Sequence, residues 1–286
     1  MLNCLTDTDI ARLIEEDLPY GDLTTHLLGI GSLNGKITFS TRENTTVCCT
    51  EEAARLLEQC GCNISGYLAS GTACKPGTEI LSASGTAQAL HAGWKASLNL
   101  LEYASGIASR TRRIVDAAKV VNPQISIVTT RKSFPGTKKI SIKAVYAGGA
   151  LPHRLGLSES VLVFRQHTAF MGGLDAFLKE VETIRLKALE NKIIVEAETV
   201  EEALAIARHP VDVIQLDKIA PVELARLVLE IRSINPMVKI SAAGGINEAN
   251  AAEYAASGVD IIVLSSVYFG KPADIGATIT PVEKHS

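Results

Sequence analysis

The spacing of apolar residues changes part-way along the chain. The N-terminal part mixes periods. TDIARLIEEDL carries Ile10, Leu13, Ile14 and Leu18 at helical spacing, whereas KITFSTR alternates through Ile37, Phe39 and Thr41 as a half-buried strand does. EEAARLLEQCG is helical as far as Gly61, a residue suited to a helix C-terminus. A long helical pattern then runs from Gln88 to Val121, where Asn122-Pro123 ends it. Gly106 marks the place where that pattern could divide into two helices.

Beyond Pro123 the sequence becomes regular. Strand-like runs occupy 125–129, 160–164, 193–197, 212–216, 238–242 and 260–264, and helical patterns lie between them. Continuous apolar runs alternating with helices predict a parallel β/α arrangement with both faces of the sheet covered. A β/α barrel and an open doubly wound sheet both satisfy this pattern. No GxGxxG follows the first of these strands, which speaks against a dinucleotide-binding version.

Composition narrows the class. The 286 residues are 47% hydrophobic and 21% charged, enough for one large core or two ordinary ones. The net charge of −3 argues against a nucleic-acid coat or a polybasic membrane anchor. Aromatic residues, at 5%, are sparse for base stacking. No basic flank precedes an apolar run at the N-terminus, and no apolar stretch is long enough for a membrane span, so a cytoplasmic protein is expected. All six cysteines lie at or before Cys74, and Cys60-Gly61-Cys62 lacks the spacing of a zinc ribbon, which suits reduced thiols.

Candidate chemistry gathers where the predicted strands end, the usual place for reactive groups in parallel β/α folds. Thr130-Arg131-Lys132-Ser133 follows the first of them, and His153-Arg154 precedes the second. Glu196 and Glu198 lie two residues apart and share a face if extended. Asp217-Lys218, Gly244-Gly245 and Ser265-Ser266 follow the last three strands. A Gly-Gly turn leading into a helix near Asn247 predicts an anion site. Glu198 and Asp217 could hold Mg²⁺ directly or through water. Arg131, Lys132, His153 and Arg154 could hold pyrophosphate or a carboxylate. Together these residues suit an enzyme acting on a phosphorylated small molecule complexed with Mg²⁺ and on an acidic partner.

The ordered motifs resemble the quinolinate phosphoribosyltransferase family (nicotinate-nucleotide pyrophosphorylase, carboxylating). EEDLPYGDLTT, KASLNLLEYASGIASRTRRIVDA, TTRKSFPGTKK, GGALPHRLGL, VEAE, QLDK and AAGGI follow its order, with QLDK standing where the family has LDN. The wording PGTKKISIKAV and GGALPHRLGLSESVLVF is most similar to the ModD branch of pyrophosphorylases, named for an association with molybdate transport. The resemblance implies an α/β fold, in which an N-terminal α/β sandwich domain (1–108) precedes an incomplete parallel β/α barrel (109–286) whose C-terminal tail can return to the first domain. It implies a homodimer or higher even oligomer with shared active sites, and neither nucleic-acid nor membrane binding. The implied reaction moves ribose 5-phosphate from phosphoribosyl pyrophosphate to a ring nitrogen, with Mg²⁺ as cofactor and pyrophosphate as leaving group.

Carried over residue by residue, Arg131, Lys132, His153 and Arg154 line the acidic-substrate pocket, and Lys132, Glu198 and Asp217 are the catalytic candidates. Glu198 and Asp217 stand near ribose and metal, and Gly244, Gly245, Ser265 and Ser266 near phosphate. Arg42 is placed to reach a partner's site. The departures concentrate around the acceptor. Trp94-Lys95 replaces a Glu-Arg pair, Phe164 stands where a lysine binds the quinolinate carboxylates, Ala150-Leu151-Pro152 replaces Gly-His-Asn, and Ala243 replaces a serine. The leading expectation is therefore a phosphoribosyltransferase with an altered aromatic or acidic acceptor. Two other readings compete: a non-catalytic anion-binding protein in molybdate handling, and a Schiff-base enzyme using Lys132 or Lys218.

Overall fold

The computed structural model describes residues 5–282, so Cys4 lies outside them. The elements run α1 (Asp7–Asp17), α2 (Leu23–Leu27), β1 (Asn34–Thr41), β2 (Thr45–Thr46), α3 (Thr50–Gln59), β3 (Asn63–Tyr67), β4 (Ala73–Cys74), β5 (Glu79–Thr86) and α4 (Ala87–Val121). There follow β6 (Ser126–Thr129), α5 (Lys138–Ala147), β7 (Leu151–Pro152), β8 (Val161–Val163), α6 (Arg165–Thr168), α7 (Leu174–Lys187) and β9 (Ile193–Ala197). The chain closes with α8 (Val200–Ala207), β10 (Val213–Asp217), α9 (Pro221–Ile234), β11 (Lys239–Ala243), α10 (Ala251–Ala256), β12 (Ile261–Leu264) and β13 (Ile275–Pro281). These elements form two compact units. One comprises the chain up to Arg112, Phe134–Gly149 and the part from Tyr268 onwards; the other comprises Arg113–Ser133 and Ala150–Val267.

The first unit is built on a four-stranded antiparallel sheet of order β13-β1-β5-β3. The alternation read in KITFSTR is seen in β1, where Ile37, Phe39 and Thr41 are buried. Ile37 and Phe39 share their core with Leu57 of α3 and with Leu90 and Leu101 of α4. α1 begins with a capping box, in which the Thr6 side chain accepts from Asp9 N–H and Asp9 returns the bond. α5 is tied to α3 by the buried ammonium of Lys143, which donates to both Glu51 and Glu52. Burial pushes the Glu51 carboxyl up, but bonds from Lys143 and Ser70 outweigh it and hold the group at about 2. Among the described residues the cysteines are free thiols.

Gly106 does not divide the long helical pattern, because α4 is one helix of 35 residues. Its purpose is clearance. A Cβ there would lie 3.0 Å from both Ala273 N and Lys271 O, and Ala273 N–H donates to Glu102 O at 2.9 Å. The glycine thus lets the returning chain lie directly against the helix.

The second unit is a seven-stranded parallel sheet of order β7-β6-β12-β11-β10-β9-β8. From β8 to β12 each strand pairs with its successor, and β12 then pairs with β6. A doubly wound sheet reverses its order at a switch point; this order does not reverse, so the architecture is that of a barrel. β7 and β8 are the two edges, so the barrel is incomplete. One face of the sheet, with Ile193, Val195, Ile214, Leu216, Ile240 and Ile262, is buried and apolar but for Thr129 at the end of β6. The other face, the lumen, carries the polar chemistry. Among the described residues no helix is long and apolar enough to cross a membrane.

The clearance at Gly106 has a measurable consequence. Gly106→Val should lower the stability of the fold by about 1–3 kcal/mol through overpacking, despite the gain in helix propensity. The urea midpoint is the readout, and an unchanged midpoint would mean that residues 271–273 do not rest on α4.

Candidate active site

The lumen follows from strand register. Leu162, Ile194 and Val213 are aligned neighbours on β8, β9 and β10, and they form a small apolar cluster at the bottom of this face. Two residues further along each strand, the same face presents Phe164, Glu196, Gln215 and Ser241. Two further on it presents Glu198, Asp217 and Ala243, with Val263 and Val128 continuing the row on β12 and β6. The row ends at the C-terminal rim, where the turns bearing Gly244 and Ser265 begin.

An acidic corner forms at β9 and β10. Gln215 Nε2 donates to Glu196 Oε2 at 2.6 Å, and Gln215 is buried. Burial raises the Glu196 carboxyl above its ordinary value; Gln215 opposes that shift, and the neighbouring charges of Asp217 and Glu198 add to it. Glu198, one residue past the strand end, is exposed and lies 3.5 Å from Arg165. Asp217 is half-buried, with Lys218 Nζ 3.3 Å from its Oδ2. A cavity of about 220 Å³ opens here, lined by Arg165, Thr168, Gly173, Leu174, Glu196 and Glu202. Glu196 was visible in VEAE, but the sequence reading favoured Glu198. The strand end at 197 was read correctly; what the sequence did not show is that Glu196 is half-buried and bonded to Gln215 across the strands, whereas Glu198 is exposed on the rim.

A cationic corner forms at the ends of β6 and β7. His153 N–H donates to Thr129 O at 2.9 Å, which fixes the loop beside the β6 rim. Burial and the charge of Arg154 push the His153 imidazole below its ordinary value. Burial and then the charge of Arg131 lower Arg154 in turn, with Glu159 opposing, so two guanidinium groups crowd an imidazole held towards its neutral form. Lys132 is exposed, with its backbone N–H donating to Thr130 Oγ1 at 3.2 Å. Crowded, partly desolvated cations are poised for an anion that relieves their repulsion.

The turn after β11 lies beside Asp217. Gly244 has φ +89°, and a Cβ on it would stand 2.7 Å from Asp217 Oδ1 and 2.5 Å from Lys218 Cγ, so only glycine fits. Gly245, at φ +71°, faces open space. The helix expected near Asn247 begins only at Ala251. Asn247 and Asn250 donate to Gly245 O at 3.1 and 3.2 Å and hold the intervening turn in place of a helix. Any amide donors for an anion are thus those of the Gly-Gly turn. In the turn after β12, the Oγ of Ser266 is buried and, among the described residues, has no hydrogen-bond partner.

Phe164 shares the lumen face with Glu196, packs on the Leu162–Ile194–Val213 cluster and stacks on His167 with ring centroids 5.7 Å apart. Phe164 lies one residue past β8, and it is this packing that sets it on the lumen side rather than under the helices. Arg42 and Lys95 lie in the first unit. Arg42 pairs with Asp274 at 3.3 Å, Lys95 Nζ sits 4.6 Å above the Trp94 ring, and both charges act on Glu102. Among the described residues no group of three or more His, Cys, Asp or Glu side chains is placed to hold a metal.

A parallel barrel with acids, a Gly-Gly turn and clustered cations on one rim has the layout of a β/α-barrel enzyme. The chain belongs to the quinolinate phosphoribosyl transferase family, a family of pentosyltransferases: residues 22–105 match its N-terminal domain and residues 107–276 its C-terminal domain. It is 44% identical over 250 residues to a Rhodobacter capsulatus protein named "Putative pyrophosphorylase ModD", a match covering 87% of this chain and 95% of that protein. It is 30% identical over 264 residues to a Methanocaldococcus jannaschii protein named "Probable nicotinate-nucleotide pyrophosphorylase", carboxylating, covering 90% of this chain and 91% of the other. The fold is that of NadC from Streptococcus pyogenes, with a TM-score of 0.87 at 22% identity over 99% of this chain and 100% of that one.

The state of Glu196 can be tested without substrate. A carboxyl raised above its unfolded value stabilises the fold below that value and loses this contribution as pH rises through the folded value. Glu196→Gln should therefore raise the urea midpoint at pH 7, and the gain should vanish near pH 4. A gain independent of pH would contradict the burial of this charge.

Proposed function

We propose that the chain is a Mg²⁺-dependent phosphoribosyltransferase, moving ribose 5-phosphate from phosphoribosyl pyrophosphate to the ring nitrogen of an acceptor with fewer carboxylates than quinolinate. The observation that carries this reading is the convergence of Glu198, Asp217, the Gly244–Gly245 turn and the Arg131–His153–Arg154 group on one barrel rim, with Glu196 one row deeper on the same face. In the reaction the bond from ribose C1 to the pyrophosphate oxygen breaks, and its electron pair leaves with pyrophosphate. The lone pair of the ring nitrogen then forms the new bond to C1.

Each corner answers one need of that step. The carboxylates of Glu196 and Asp217 face the positive charge that develops on ribose. The Gly-Gly amides and the unpartnered Ser266 hydroxyl suit a terminal phosphate. The crowded cations suit the carboxylate of an acceptor or the departing pyrophosphate. Glu198 and Asp217 offer the hard oxygen ligands that Mg²⁺ prefers, with substrate oxygens and water needed to complete its shell. When bound, Mg²⁺ would neutralise charge on the leaving pyrophosphate. Phe164 presents a ring where the family pattern has a cation, so a second acceptor carboxylate has no partner there and pays its desolvation uncompensated. Tyr20, Leu23, Leu27 and Leu28 are strongly exposed on and beside α2, which supports assembly with a second copy through the first unit.

The direct test is pyrophosphate release from phosphoribosyl pyrophosphate, with and without Mg²⁺, across a panel of pyridine mono- and dicarboxylates. Release that needs both Mg²⁺ and an acceptor is expected. Binding of phosphoribosyl pyrophosphate with no release for any acceptor would favour a non-catalytic anion-binding protein.

Two substitutions sharpen the reading. Asp217→Asn should leave thermal unfolding nearly unchanged and lower kcat/KM for phosphoribosyl pyrophosphate by about 100-fold; an unaltered rate and Mg²⁺ dependence would remove Asp217 from the site. Phe164→Lys should move the ratio of kcat/KM for quinolinate over monocarboxylates upwards by about 10-fold or more. Efficient turnover of quinolinate by the unaltered protein, with no shift in the variant, would sink the acceptor argument.

A further inference from the structure

Lys218 is left unused by the account above, yet its backbone is unusual. It has φ +58°, and Cys49 is the only other non-glycine residue with positive φ among the described residues. Lysine has no short polar side chain to ease the left-handed region, unlike the asparagine of the family pattern LDN. Strain of this kind persists where the surroundings hold it, and it clusters at ligand sites. Here two contacts hold it. Lys218 N–H donates to Ala243 O at 2.8 Å, which locks the end of β10 to the end of β11. The Lys218 stem lies across Gly244, whose missing Cβ would be 2.5 Å from Lys218 Cγ.

The consequence is a cation carried over the Gly-Gly turn. Nζ is 3.3 Å from Asp217 Oδ2, and the side chain is 79% exposed. An ammonium tethered at one rim of an open glycine turn can swing to an anion seated on that turn while its stem stays on Gly244. An asparagine at this position would relieve the backbone but supply no charge.

We infer that Lys218 is a phosphate-binding residue, its ammonium closing over the phosphate monoester held by Gly244 and Gly245. This rests on the phosphoribosyltransferase reading and adds to it a cation that the family pattern lacks. The cost of the left-handed lysine is borne for charge at this place.

The test is calorimetric titration of the intact protein with ribose 5-phosphate and, separately, with inorganic pyrophosphate, for the unaltered chain, Lys218→Asn and Lys218→Arg. Thermal unfolding of each is recorded without ligand. Lys218→Asn should weaken ribose 5-phosphate binding about 10-fold, flatten its salt dependence, leave pyrophosphate binding within about twofold and raise the melting temperature. Lys218→Arg should keep ribose 5-phosphate affinity within a few-fold. Equal affinity in Lys218→Asn overturns the inference while the wider reading stands. A loss confined to pyrophosphate also overturns it, by moving the lysine to the leaving group. A lowered melting temperature in Lys218→Asn, with affinity lost for both ligands, reduces Lys218 to a structural role and overturns it. An unaltered chain that binds neither ribose 5-phosphate nor inorganic pyrophosphate overturns the inference and the wider reading together.

Discussion

The in-step register of β9, β10 and β11 is the constraint on which the rest of the site depends. Parallel strands present neighbours in register to the same face, so Glu196, Gln215 and Ser241 stand side by side. A slip of one residue in β10 would send Gln215 and Asp217 under the helices and turn Ile214 and Leu216 into the lumen. The apolar helix-covered face makes that slip prohibitive, because it would bury two polar side chains and expose two large aliphatic ones. The hydrophobic core therefore positions the acids.

Charge is distributed around the rim by sign. Acids collect at β9 and β10, and cations collect after β6 and β7. Each group is uncomfortable on its own: Glu196 is pushed up by burial, then by like charges, while His153 is pushed down by burial and Arg154. Unrelieved repulsion of this kind lowers the stability of the empty protein and is recovered when a ligand of opposite charge arrives. Structural ion pairs behave differently. Lys143 is enclosed by Glu51 and Glu52 within the first unit, where one ammonium serves two carboxylates and no ligand is called for.

Much of this was legible in the chain. Six of the barrel strands, the half-buried β1 and the helical spacing of α1 all carry local signals that tertiary packing did not override. β7 was missed because two residues leave no period to detect. Gly106 misled because a glycine inside a helix looks the same whether it breaks the helix or makes room for another segment; only the returning chain at 271–273 distinguishes the two. Of the candidate residues, the glycines, the cations and Asp217 were readable from their place after strands. Phe164 was named, but its face is settled only by its packing on Leu162, Ile194 and Val213. Lys218 was visible as a letter, but its significance lies in a backbone angle that no composition or period encodes.

β13 pairs along β1 from Gly35↔Pro281 to Thr41↔Ile275, so one of the earliest strands waits for one of the last. During synthesis, β1 can pair with β5 while its other edge stays open. The whole barrel sequence must emerge before that edge is closed. An uncovered edge offers its amides and carbonyls to any other chain within reach. Nascent or C-terminally clipped molecules are thus the ones whose β1 edge stays open to another chain, which makes the last strand a guard for one of the first.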